Sequence, residues 1–255
     1  MIIDSHCHIN STEFDIDLET VLNNAKQVGV EKIFVPNVNL SSIEKLLPLL
    51  KQYPDFLMPM LGIHPCEIDN NYKEHLSTIY KYLDKTTYYA IGEIGLDYYW
   101  DKTHIESQKD AFEIQINWAI DLKIPINIHS RNSTEDAIQI CKKYQSRGLK
   151  GVFHCFSGSL EQAKKIIDLG FYLGIGGVVT FKKTDLHQIV PTVGLANIVL
   201  ETDAPYLAPS PFRGKRNEPS YLTYIVEKIA DLCDTTPLEV KKQTTANALN
   251  LYKMT

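Results

Sequence analysis

Short apolar runs rich in β-branched residues alternate along the chain with longer stretches of helical period. The runs are Ile2–His6, Lys32–Pro36, Leu57–Ile63, Tyr88–Glu93, Ile124–His129, Gly151–His154, Phe171–Gly174 and Ile198–Asp203. Their length and composition predict strands. Helical spacing is predicted over Asp17–Val28, Ser41–Lys51, Tyr72–Leu83, His104–Leu122, Thr134–Tyr144, Leu160–Leu169, Lys182–Ile189, Tyr221–Cys233 and Leu238–Tyr252. The second of these opens with a capping-type Ser41-Ser42-Ile43-Glu44, and Pro237 precedes the last, where its missing N–H costs nothing. Repeated strand-then-helix units predict a parallel sheet. Eight of them predict an α/β protein closed into a TIM-type (β/α)8 barrel, one domain over residues 1–255, a length that suits the fold. A doubly wound sheet would place a Gly-rich phosphate turn after an early strand. The first strand ends instead in His6-Cys7-His8, and Gly174-Ile175-Gly176-Gly177 comes too late and reads as a strand-to-helix bend.

Composition narrows the picture. Apolar residues make up 44% of the chain, enough for a large core, and the net charge of −5 excludes a protein that coats DNA through global basicity. A polyanionic substrate would have to be drawn by local cations and metal ions. The five cysteines are scattered, with no CxxC pair, which reads as a reducing, cytoplasmic setting. No signal-peptide pattern and no apolar run of membrane-spanning length is found in the sequence, and nothing marks an obligate protein partner.

The chemistry gathers where a barrel places its active site, at the C-terminal strand ends. Five of the eight histidines fall there (His6, His8, His64, His129 and His154), joined by Glu93 and Asp203. His75, His104 and His187 fall in helical or loop segments and read as surface groups. One strand-end histidine is usually structural. So many titratable groups in one mouth are costly unless a metal compensates them. His6 and His8 alternate onto one face and can hold one divalent ion, with Asp203 facing them from the neighbouring eighth strand. His129 and His154, on adjacent strands, can share a second, and Glu93 can bridge the two. Mixed N and O ligation suits two ions of Zn, Mn or Mg without choosing among them. Asp4 and Glu201 lie one layer deeper, where they either orient ligand imidazoles or form a buried structural charge pair. Cys7 and Cys155 are expected to face the core.

The motifs Asp4-Ser5-His6-Cys7-His8, Gly62-Ile63-His64-Pro65, Gly92-Glu93-Ile94-Gly95-Leu96-Asp97-Tyr98-Tyr99, Ile128-His129-Ser130-Arg131, Phe153-His154-Cys155-Phe156-Ser157-Gly158, Leu200-Glu201-Thr202-Asp203-Ala204-Pro205 and Arg213-Gly214-Lys215-Arg216-Asn217-Glu218-Pro219 span nearly the whole chain. Together they resemble the TatD family of metal-dependent deoxyribonucleases, within the amidohydrolase superfamily. The resemblance implies a TIM-type barrel and hydrolysis of DNA with divalent metals, often as a 3′–5′ exonuclease, and a narrow barrel mouth favours single-stranded ends over mid-duplex cleavage. It implies metal ligation by His6, His8, Glu93, His129, His154 and Asp203, and contact of His64 with the substrate phosphate or the metal water. On that reading Asp203 orients or deprotonates a metal-activated water, with Glu93 and His64 as its catalytic neighbours. Arg131, Arg213, Lys215 and Arg216 pair further phosphates, or the last three form only a solvated basic turn. Tyr98, Tyr99 and Trp100 stack terminal bases or pack into the barrel rim. The rivals are an amide or ester hydrolase of a small molecule on the same barrel and a non-catalytic metal-holding scaffold. Glu93 in place of a strand-four lysine, and the local cations, favour the phosphodiester.

Overall fold

The computed structural model describes residues 1–254. Eight strands run β1 (Ile2–Asp4), β2 (Val30–Pro36), β3 (Leu57–Leu61), β4 (Ala90–Asp97), β5 (Ile126–Arg131), β6 (Gly151–Phe153), β7 (Tyr172–Ile175) and β8 (Ile198–Leu200). They are hydrogen-bonded in chain order, and every pair from β1–β2 to β7–β8 is parallel. The Ser5 N–H donates to the Leu200 carbonyl at 2.9 Å, and the Asp203 N–H to the His6 carbonyl at 2.9 Å. These two bonds bring the ends of β8 and β1 together, as the predicted barrel requires. The helices that cover it are α1 (Leu18–Gln27), α2 (Leu40–Gln52), α3 (Tyr72–Tyr80), α4 (Ile105–Leu122), α5 (Thr134–Tyr144), α6 (Leu160–Asp168), α7 (Leu186–Val193), α8 (Leu222–Leu232) and α9 (Pro237–Leu251).

Strand alternation divides the core in two. Ile2, Ile33, Leu57, Ile91 and Ile198 pack with buried helix residues such as Leu22, Ile43 and Phe112. Their neighbours Ile3, Phe34, Met58, Met60, Val152 and Val199 form a second cluster with Leu251 and Tyr252, and the Tyr252 ring stacks on Phe34 at 3.7 Å. The interior of the barrel is therefore packed with apolar side chains and plugged by the end of α9. The buried Asp, Glu and His side chains are left to the strand C-termini and the segments that follow them.

Several elements depart from the sequence expectation for identifiable reasons. β1 and β8 stop before their polar tails, where the N–H groups of Ser5, His8 and Asp203 turn to the closing seam while that of Cys7 still reaches Phe34 of β2. β4 runs further, to Asp97, since it stays paired with β5 up to Arg131. α2 is capped by Asn39 rather than Ser41: Asn39 Oδ1 accepts the Ser42 N–H at 3.0 Å and Ser42 Oγ accepts the Asn39 N–H at 3.0 Å. α7 starts at Leu186, not Lys182. Its buried face is Leu186, Ile189 and Val190, and nothing apolar extends that stripe back through Lys182 and Lys183. Regular helix ends at Tyr80 in α3, and a 3-10 turn continues to Asp84.

Two buried glutamines of α4 brace the rim. Gln108 Oε1 accepts the Asp97 N–H at 2.9 Å, and Gln115 Oε1 accepts the Ile63 N–H at 2.7 Å. Gly95 sets the spacing between β4 and β5. Its φ is +139°, and a Cβ there would lie 2.1 Å from the His129 carbonyl oxygen. Gly95→Ala is expected to destabilise the fold by more than about 2 kcal/mol, from backbone strain and forced strand separation. Urea unfolding checks this, and a midpoint equal to that of the natural chain would contradict it.

Candidate metal centre

Six strands deliver the side chains. His6 and His8 follow β1, His64 follows β3, Glu93 lies in β4 and His129 in β5, His154 follows β6 and Asp203 follows β8. Asp203 takes a left-handed φ of 56°, unusual for a residue with a Cβ. Its N–H is bonded to His6 and its carbonyl to the Tyr206 N–H at 2.8 Å, so both sides of the residue are pinned.

Glu93 is the hub, almost fully buried. Its Oε2 faces His6 Nε2 at 3.3 Å and His8 Nε2 at 3.4 Å. Its Oε1 faces His154 Nε2 at 2.7 Å, His129 Nδ1 at 2.9 Å and His64 Nε2 at 3.4 Å. On the Oε2 side, Asp203 Oδ1 lies 3.7 Å from His6 and 3.5 Å from His8, whose Nε2 atoms are 3.1 Å apart. The His6 and His154 rings stack at 3.9 Å, nearly parallel, which ties the two sides together. Around an ion with bonds near 2.1 Å, tetrahedral donors stand about 3.4 Å apart. The spacings on the Oε2 side bracket that value, so these side chains fit a divalent cation. Three donor groups emerge: His6–His8–Asp203, His6–Glu93–His154 and His64–Glu93–His129. All six sequence-predicted ligands, and His64, therefore meet in one mouth.

The electrostatics point the same way. Burial alone would raise the Glu93 carboxyl, yet the imidazoles of His154, His64 and His6 hold it well below the usual range. Burial also opposes ionisation of Asp203, and its bond to His8 outweighs it only together with the imidazoles of His154, His6 and His8. Burial disfavours the imidazolium of His8, but Asp203 and Glu93 push the group up to about 10. His129, likewise opposed by burial, is pushed up to about 9 by Asp97 and Glu93. Without a cation, the two carboxylates are thus balanced by protons on two histidines. His154 is held down to about 4 by burial and by His6.

Two supporting residues were not singled out from sequence. Asp97 Oδ2 meets His129 Nε2 at 2.8 Å, and Asn127 Oδ1 meets His6 Nδ1 at 2.8 Å. Both lie an even number of residues from a predicted ligand on the same strand, so the alternation that grouped His6 with His8 also points to them. The two deeper carboxylates differ from each other. Asp4 accepts from Thr202 Oγ1 (2.6 Å), Thr202 N–H (2.9 Å) and the His6 N–H (3.3 Å), so it ties β1 to β8 rather than orienting an imidazole. Glu201 accepts the Cys155 N–H and stands 3.8 Å from His154 Nδ1. Burial pushes Asp4 up to about 7 and Glu201 well above its usual range. Gly174 makes room for Glu201, since a Cβ there would lie 2.2 Å from its Oε2. Cys7 is fully buried as expected, whereas Cys155 is only partly so. His187 is not a free surface group: its Nε2 bonds the Val179 carbonyl at 2.9 Å.

The surrounding cations divide. Arg216 is committed to Asp17 through two bonds of 2.8 and 2.6 Å and to the Glu13 carbonyl at 2.7 Å. Arg131 has no acidic partner among the described residues, and its guanidinium lies 3.8 Å over the Tyr99 ring and 5.3 Å from the Trp100 ring. Arg213 lies over Phe181, and Lys215 is exposed. Tyr98 is turned into the rim, bonded to Asp136 at 2.9 Å, while Tyr99 and Trp100 are 52% and 70% exposed. After β5 opens a pocket of about 480 Å³ whose lining includes Tyr98, Ser130, Arg131, Ser157 and the carboxylates of Glu135 and Asp136.

Comparison with known proteins agrees with this architecture. Residues 3–253 match the family described as TatD related DNase. An uncharacterized metal-dependent hydrolase of Bacillus subtilis, YabD, is 39% identical over 255 residues, all of both chains. A protein of Erwinia tasmaniensis named 3′-5′ ssDNA/RNA exonuclease TatD is 29% identical over 259 residues, covering 99% of this chain and all of that one. The crystal structure of YjjV, a TatD homologue from Escherichia coli, superposes with a TM-score of 0.92 over 99% of this chain and 98% of its own, at 29% identity. No helix among the described residues is long and apolar enough to cross a membrane.

Proposed function

The chain belongs to the TatD family of metal-dependent hydrolases, and from that membership we propose that it cleaves phosphodiester bonds at the 3′ ends of single-stranded DNA with two divalent cations. The observation that carries the reading is Glu93, which presents one oxygen to the His6–His8–Asp203 side and the other to the His129–His154 side. A pair of cations so placed would supply an activated water and neutralise charge on the phosphoryl oxygens. Zn, Mn and Mg all suit the mixed nitrogen and oxygen donors.

The chain's own residues do the rest. Asp203 turns Oδ1 to His6 and His8, which leaves Oδ2 to take the proton of the attacking water. His64 is a neutral donor. The Cys66 N–H donates to its Nδ1 at 3.0 Å, so the ring proton sits on Nε2, facing the site, and burial lowers the group below its ordinary value. That N–H is placed to bond a phosphoryl oxygen. Arg131, held flat by Tyr99 and lacking a carboxylate, pairs a neighbouring phosphate over the adjoining pocket. Tyr99 and Trp100 offer faces to bases without reading sequence. Arg213 and Lys215 extend the track on the β8 side, whereas Arg216 serves the fold through Asp17.

Cation-titrated digestion of end-labelled single-stranded DNA tests the proposal. Stepwise loss of 3′ nucleotides is expected. Turnover of small amides, esters or lactones with intact DNA would instead establish the small-molecule hydrolase. Arg131→Ala is expected to raise the KM for oligonucleotides about 10-fold or more, the loss of one charge-assisted phosphate contact. Arg216→Ala is expected to leave that KM unchanged. Equal effects of the two substitutions would contradict the assignment of Arg131.

A further inference from the structure

We propose that Asn127 is a positioning residue, which fixes His6 in the one neutral tautomer able to hold a cation. The inference rests on the reading of His6 as a ligand. Both residues are fully buried. His6 Nδ1 lies 2.8 Å from Asn127 Oδ1, and the orientation of the amide is set by its other end. Asn127 Nδ2 donates to the Ser5 carbonyl at 3.4 Å, and a flipped amide would set two acceptors against each other there. The oxygen therefore faces His6 and can only accept. The His6 proton is drawn to Nδ1, and the lone pair of Nε2 is left pointing at His8, Glu93 and Asp203.

Without that acceptor the buried Nδ1–H would have no partner, and the proton would favour Nε2, where Glu93 Oε2 stands 3.3 Å away. A proton on Nε2 blocks the cation. The ring itself would stay in place, because His154 stacks against its face at 3.9 Å. Asn127 thus controls the location of a proton rather than the position of the ring. The Ser5 carbonyl that orients the amide also accepts from the Tyr252 hydroxyl at 3.4 Å, so the plug of the barrel braces the same peptide.

The test uses the full chain with Asn127→Leu, which removes the acceptor at similar volume, and Asn127→Asp, which keeps an acceptor. Mn²⁺ binding by calorimetry reads affinity, and histidine ¹³C/¹⁵N NMR of the metal-free protein reads the tautomer. The natural chain is expected to show the His6 proton on Nδ1. The Leu variant is expected to move it to Nε2 and to lose about 10- to 100-fold in affinity at the His6–His8–Asp203 side, while the His129–His154 side changes little. The Asp variant is expected to restore the Nδ1 tautomer; its second oxygen faces the Ser5 carbonyl, so its tautomer and not its affinity is compared. Failure of the natural chain to bind Mn²⁺ would overturn the ligand reading itself. A natural chain with the proton on Nε2, a folded Leu variant with unchanged affinity, or an Asp variant with the proton on Nε2 would each overturn the role of Asn127 alone. Should the Leu variant not fold, the tautomer of the natural chain and the Asp variant still decide.

Discussion

Replacing Glu93 with Gln is expected to lower turnover by about a thousandfold or more, the scale on which removal of a key electrostatic group slows a reaction. The substitution keeps the volume of an almost fully buried side chain, so the fold should survive. It removes the charge and one of the two acceptor oxygens. Five imidazoles now lie within 3.4 Å of a Glu93 oxygen, and an amide would place an N–H donor against at least two of them. Cation binding on one side or both should weaken along with the rate. Initial rates on end-labelled DNA, with circular dichroism to verify folding, measure this. A Gln variant within tenfold of the natural chain would remove Glu93 from the chemistry and favour a site that merely stores metal.

Stripping the cations should abolish turnover and make stability fall with rising pH. In the metal-free protein His8 and His129 are raised to about 10 and about 9 from an ordinary value of 6.5. A group raised on folding stabilises fully below its unfolded value, and that contribution is lost as pH climbs through the folded one. The stripped protein should therefore lose Tm as pH rises from about 6.5 towards 10. A cation replaces both protons, so its affinity should rise with pH and its binding should release protons into a weakly buffered solution. The loaded protein should keep its Tm across the same interval. Parallel Tm profiles with and without the cation, and no proton release, would contradict the picture of protons standing where cations bind.

The barrel could be read from the chain because each unit repeats one simple rule, a β-branched run followed by a helical stripe, and eight repetitions leave few topologies open. The six side chains around Glu93 could be read for a related reason. The fold fixes which ends of the strands meet, so polar residues after Ile3, Ile91, Ile128, Phe153 and Leu200 must converge. What escaped depended on partners that no period encodes. Arg216 lies in a basic run, but its bond to Asp17, 199 residues away, removes it from the mouth. Asn127 and Asp97 sit on the correct strand faces, yet only the three-dimensional arrangement turns their oxygens to ring nitrogens of His6 and His129. Asp4 took its partners from Thr202 because closure of the barrel places β8 beside it. Element ends shifted for a similar reason, since hydrogen bonding across the closing seam decides where β1 and β8 stop.

Anomalous diffraction from a Mn²⁺-soaked crystal bears most directly on the proposal that these residues gather two ions across one carboxylate. Two peaks are expected on opposite sides of Glu93, one among His6, His8 and Asp203 and the other against His129 and His154. A single peak, or metal bound away from Glu93, would contradict it.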